Sequence, residues 1–187
     1  MRYPQDRKAQ TYQRIVKEAS ARFRRDGVSA TGLQPLMKGL GLTHGGFYAH
    51  FKSKDELVQT ALQDAVEQVS IAVDKAFSSE QPIAAFIDFY LSEHHRDNAD
   101  SGCPLPTIAA ELGQRRQASA TTDYVVNTIS KLMAEAMGGG EQAEQKGIVT
   151  LSTLVGALML ARSVEDAGLS ALILETSRSA LKEQARA

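Results

Sequence analysis

Apolar residues recur at three- and four-residue intervals along nearly the whole chain, and no strict two-residue alternation runs long enough to make a half-buried strand. That pattern admits helices packed on helices and little else. Tyr12, Ile15, Val16, Ala19 and Phe23 mark one face of a first helix, with Arg and Lys on the other side and Gly27 placed to end it. A short helix is expected from Leu33 to Leu40, opened by Thr31, with Pro35 tolerated in its first turn and Gly41 as its stop. A second short helix runs from His44 to His50 behind a Thr43 cap. Ser53, Lys54, Asp55 and Glu56 then spell a capping box for a long helix with core positions Leu57 or Val58, Leu62, Ala65, Val66, Val69, Val73 and Phe77.

The remainder continues as amphipathic helices with brief breaks. Ile83, Phe86, Ile87, Tyr90, Leu91 and His94 share one face of a helix that starts at Pro82 and stops at the turn 97–104. Leu105, Ile108, Ala109 and Leu112 define a short helix ending at Gly113, and Val125, Ile129, Leu132, Met133 and Ala136 another ending at Gly138, Gly139 and Gly140. Two last helices cover about 141–165 and 169–185. No internal repeat is present. The fold class that follows is all-α, with about nine helices.

The net charge of −1 hides a division. Residues 1–54 carry 11 Lys and Arg against 3 Asp and Glu, a balance of +8, and residues 55–187 carry 10 against 19, a balance of −9. A basic end on an acidic remainder is the outline of a chain that meets a polyanion at one end, and nucleic acid is the first candidate. No apolar run reaches the roughly 20 residues that cross a bilayer. The beginning, MRYPQDRKAQ, lacks a secretory signal and the single cysteine forms no internal disulfide, so the expected location is the cytoplasm.

Two short helices joined by a tight glycine-containing turn, after an amphipathic helix, match a helix-turn-helix, whose second short helix enters the DNA major groove. Phe23, Val28, Leu33, Leu36, Met37 and Leu40 form an apolar platform, and Leu42, Phe47 and Phe51 anchor the reading helix from beneath. Thr43, His44, Gly45, Gly46, Tyr48, Ala49 and His50 are left toward the duplex.

The segment GLTHGGFYAHFKSKDEL, residues 41–57, with its aromatic–aromatic–x–His–Phe core and Ser/Lys/acid/acid/Leu helix start, resembles the DNA-binding signature of the TetR family of bacterial transcriptional regulators. The likeness spans roughly residues 10–58. It implies a homodimer with a helix-turn-helix DNA-binding domain over 1–53, joined by the long helix to a ligand-binding and dimerisation domain over 54–187. It further implies that Thr43, Tyr48, His50 and Lys54 contact phosphates, while His44, Gly45, Gly46 and Gln34 face base edges. Gly39, Gly45, Gly46 and Ala49 depart from the residues more common at those places. The function implied is a repressor on a palindromic operator, released by a small-molecule effector. The effector is expected against Phe86, Phe89, Tyr90, Tyr124, Met133, Met137 and Met159.

Cys103, before Pro104, is a candidate redox site. His94 and His95 are adjacent and point apart on a helix, so no metal site is expected there, and no cofactor is implied. Gly156, Ala157, Ala161, Ser163, Ala171, Ser179 and Ala180 among Leu and Ile suit the last two helices to close crossings with a second copy. Two other readings use different residues. A cysteine-dependent enzyme would draw on Cys103 with His94 or His95, and an all-α interaction module would have lost DNA binding.

Overall fold

The computed structural model describes residues 4–185, so the outer limits of both expected domains lie outside the described residues. The described residues form ten α-helices and no strand. They are α1 (Pro4–Asp26), α2 (Leu33–Gly39), α3 (His44–Phe47), α4 (Lys54–Phe77), α5 (Pro82–Tyr90), α6 (Glu93–Asp97), α7 (Ala110–Gln114), α8 (Ala120–Ala136), α9 (Glu141–Ser163) and α10 (Ala167–Gln184). A 3-10 turn, Ala99–Ser101, and a π-helical turn, Leu105–Ala109, lie between α6 and α7.

The chain divides into two compact units. One takes residues up to Gln68 together with Asp100–Ser119, and the other Val69–Ala99 with the residues from Ala120 onward. The first unit therefore draws on a segment far along the sequence as well as on the helix-turn-helix. Its core joins Ile15, Phe23, Leu36, Met37, Phe47, Phe51, Leu57, Leu62, Ile108 and Leu112. Each large apolar side chain fully removed from water there stabilises the fold by about 1.5–3 kcal/mol.

Several helix ends differ from their sequence expectation. Thr31 is not the cap of α2. Its buried hydroxyl donates to the Gly27 carbonyl at 2.7 Å, and the N-cap is Gly32, without a side-chain bond. α3 stops at Phe47, three residues early, and the chain closes by shorter i→i+3 bonds from Ala49 N to Gly46 O and His50 N to Phe47 O. Glycines at 45 and 46 lower helix propensity by about 1 kcal/mol each, which the burial of Phe47 and Phe51 and the Thr43 cap offset. The capping box is displaced by one residue. Ser53 Oγ accepts from Glu56 N as expected, but the Glu56 carboxylate accepts from Lys52 N rather than from Ser53 N.

The helix expected to run past Tyr90 is two helices, which raises the count above nine. Ser92 ends α5 by donating to Phe89 O, and caps α6 by accepting from His95 N. The break turns His94 outward and His95 inward, reversing the expected face. Arg24 also defies its amphipathic pattern, being 2% exposed inside the first unit.

In the second unit α9 packs on α8 and α10. Gly147 makes the first crossing possible, because a Cβ at that position would stand 2.6 Å from the Ser130 carbonyl oxygen. An aromatic cluster lies in the same unit. Phe86 meets Phe77 at 5.2 Å and Tyr90 at 5.7 Å, and His95 stacks on Phe89 at 5.6 Å with its edge to Tyr90 at 4.8 Å. His95 Nδ1 carries its proton and donates to the Tyr90 carbonyl at 2.7 Å. Burial pushes this imidazole down to about 4, and the charges of Arg162 and His94 act in the same direction against the Tyr90 bond.

Two outcomes follow for stability. Gly147→Ala is expected to lower the urea midpoint by the equivalent of about 1–3 kcal/mol through overpacking, although alanine is the better helix former by about 1 kcal/mol; a raised midpoint would refute the close crossing. His95 is neutral in the fold and charges more readily when unfolded, so the unfolded chain binds the extra proton between about 6.5 and about 4. The stability present at pH 7 is thus lost as pH falls through that window, by up to about 3 kcal/mol. Unfolding at pH 7 and pH 5 is expected to differ less in His95→Gln than in the parent chain.

Candidate nucleic-acid interface

The reading turn is built from its anchors outward. Phe47 is 0% and Phe51 2% exposed, their rings stacked at 5.6 Å, and Tyr12 of α1 stacks on Phe51 at 4.9 Å. With those side chains fixed, the intervening residues must face away from the core. Thr43, His44, Gly45, Tyr48 and Ala49 are exposed, and Gly46 and His50 are half-buried. Thr43 adopts extended backbone as N-cap, and its Oγ1 accepts from Gly46 N at 3.1 Å. Tyr48 is 60% exposed, its ring held edge-on by Phe47 at 5.2 Å and by His44 at 5.8 Å. Nothing lies within 4 Å of a Cβ built on Gly45. The bare backbone there is an open surface that a base edge is able to approach.

Gln34 is exposed on α2. Burial, with the charge of Lys8 second, holds the His50 imidazole below its ordinary range. Lys54, the first residue of α4, is half-buried, and its Nζ donates to the Val28 carbonyl at 2.6 Å. Partial burial lowers its pKa, and Arg115 adds to the lowering while Glu111 and Asp55 oppose it. Two ammonium N–H groups remain for other acceptors.

That lysine belongs to a network with no signal in the local sequence. The Glu111 carboxylate of α7 accepts from Val28 N and, at 3.2 Å, from Ser29 N. The peptide linking Val28 to Ser29 is therefore held at its carbonyl by a cation and at its N–H by an anion, both charge-assisted bonds. Arg115 Nη2 donates to Ser29 Oγ at 2.8 Å, so α7 grips the α1–α2 turn twice. Deeper in the unit the Arg24 guanidinium donates to Ser20 O at 3.2 Å, Gly102 O at 3.1 Å and Gln68 Oε1 at 2.7 Å. Burial lowers its pKa, against the opposing charges of Asp64 and Asp100. Cys103 is 7% exposed beside this link and contributes to the field at Arg24.

Among the residues expected at an effector site, Phe86, Phe89 and Tyr90 lie in the aromatic cluster, Met133 is buried and Met137 half-buried. Tyr124 and Met159 are 62% and 40% exposed and do not join them. Among the described residues no group of three or more His, Cys, Asp or Glu is placed to hold a metal ion, and no helix is long and apolar enough to cross a membrane.

The open space at Gly45 separates folding from reading. Gly45→Ala is expected to raise thermal stability slightly, since a Cβ there meets nothing and alanine gains up to about 1 kcal/mol. The same variant is expected to bind its preferred duplex at least tenfold more weakly, measured by fluorescence anisotropy. Unchanged affinity would show that the backbone at Gly45 does not approach the bases.

Comparison with known proteins agrees with this geometry. Residues 15–61 match the model of bacterial regulatory proteins of the tetR family. A helix-turn-helix transcriptional regulator of Mycobacterium tuberculosis is 23% identical over 166 residues, covering 82% of this chain and 85% of its own. TtgR of Pseudomonas putida is 34% identical over 74 residues, 40% of this chain and 35% of its own length. A TetR transcriptional regulator from Chloroflexus aurantiacus has a similar structure, with a TM-score of 0.74 at 26% identity over 94% of each chain. Residues 15–61 therefore carry the DNA-binding helix-turn-helix of the TetR family of transcriptional regulators, and the helical fold of the chain is similar to that of a solved TetR regulator.

Proposed function

We propose that the protein is a cytoplasmic homodimeric repressor that binds a palindromic operator and is released by a small apolar molecule. The observation that carries the DNA reading is the reading turn itself, in which buried Phe47 and Phe51 leave Thr43, His44, Tyr48 and the Gly45 backbone outward on the basic part of the chain. Thr43, Tyr48, His50 and Lys54 take phosphates, for which their hydroxyls, imidazole and ammonium are suited donors. His44 and Gln34 read base edges, and Gly45 and Gly46 let the backbone come close.

A turn of this size gives little affinity alone, and pairing places two of them on one palindrome. The surface best suited to pairing is on α9 and α10, where Ile148, Val149, Leu160, Leu169 and Leu172 are between 45% and 60% exposed at helical spacing. Burying that face in a second copy removes apolar area that a lone chain leaves in water. The aromatic cluster of Phe86, Phe89 and Tyr90 with Met133 is the site assigned to the effector. Binding there in one conformation only would couple effector and DNA affinities reciprocally.

The test is selection from random duplexes followed by titration at several salt concentrations. Affinity is expected to fall steeply as salt rises, because cationic side chains displace counterions from phosphate. Lys54→Ala is expected to weaken binding to all sequences alike, and His44→Ala to relax the sequence preference as well. Analytical ultracentrifugation is expected to give a dimer that Leu160→Arg dissociates. A chain that binds no duplex, or stays monomeric at micromolar concentration while binding one, would overturn the corresponding part of the reading.

A further inference from the structure

Lys8, Ala9 and Tyr12 on α1 and Ala49 and His50 just after α3 line an open groove of about 410 Å3. Its polar equipment is one-sided: an ammonium, a phenol and an imidazole, with no carboxylate among the lining residues. The Tyr12 ring is fixed by stacking on Phe51, so its hydroxyl occupies a defined place. His50 Nδ1 is enclosed without a hydrogen-bond partner, and an orphaned acceptor costs less than an orphaned N–H. The ring proton therefore belongs on Nε2. Lys8 stands close enough for its charge to disfavour a second proton on that ring. Two donors and a cation gathered without a counter-ion suit an anion, and the groove continues directly from exposed Ala49 at the end of the reading turn.

We propose that this groove seats one backbone phosphate of the duplex, with Lys8 as its ion partner and Tyr12 Oη and His50 Nε2 as hydrogen-bond donors. DNA contact then extends from the reading turn onto α1, and Lys8 and Tyr12 join the binding residues. The inference rests on the DNA-binding reading above. It also accounts for a tyrosine at a position where phenylalanine would stack on Phe51 equally well.

The experiment compares the full-length chain with Lys8→Gln and Tyr12→Phe on a selected duplex. Lys8→Gln is expected to bind about three- to tenfold more weakly on every sequence, and its plot of log affinity against log salt to be shallower by about 0.9, one phosphate's share. Tyr12→Phe, which keeps the ring stack, is expected to lose about threefold. Lys146→Gln, exposed on α9, is the control with no change. Duplexes bearing one neutral methylphosphonate at each position in turn then locate the contact. One position in each half-site is expected to weaken the parent chain and leave Lys8→Gln indifferent. If both proteins lose equally at every position, or if Lys8→Gln keeps the parent slope, the groove does not hold a phosphate even though the protein binds DNA. If the parent chain binds no duplex in a salt-dependent way, the underlying DNA reading falls and this inference with it.

Discussion

The reading turn has no stability of its own. Four helical residues, two of them glycine, are far short of the roughly 12–15 that an isolated helix needs to persist in water. What holds it is the burial of Phe47 and Phe51 against Tyr12, Phe23, Leu36, Met37 and Leu57. Because those two rings are fixed, the residues between and around them have one way to point. Exposure of Thr43, His44 and Tyr48 is thus a consequence of packing beneath them, and the interface inherits its precision from the core.

A second constraint supports the first. The peptide between Val28 and Ser29 receives a lysine at one end and a glutamate at the other, and the two side chains come from α4 and α7. Neither charge is fully solvated, so each bond is stronger than its surface equivalent. The turn that sets the direction of α2, and through it of α3, is held by residues distant in sequence. Arg24 adds a buried guanidinium, two of whose three bonds tie α1 to Gly102 and Gln68. A buried charge with those partners is costly to break and poorly tolerant of rearrangement.

Much of the fold was legible in the residues. The period of the apolar positions gave helices throughout, Thr43 and Ser53 capped where expected, and the glycines at 27, 41, 138 and 139 followed their helix ends with positive φ, while Gly140 opens α9 as its N-cap. The anchors and the exposed face of the reading turn followed from the same period. The failures are also physical. Ser92 broke a helix because its hydroxyl serves two backbone partners at once, which no periodicity registers. Glu56 reached Lys52 rather than Ser53, and α3 ended early because two glycines leave nothing to carry the helix beyond its anchors.

Sequence by itself determined the helical class, the basic end, the anchors Phe47 and Phe51 and the exposure of Thr43, His44 and Tyr48 around them, since these depend on side-chain chemistry and on spacing within one helix. Only the tertiary structure decided that Arg24 is buried, that Lys54 answers to Val28, that Glu111 and Arg115 grip the same turn, and that Lys8, Tyr12 and His50 share one groove. Those pairings join residues between 26 and 86 positions apart or lie across two helices. Contacts of that range are selected by how whole helices pack, and local spacing carries no record of them.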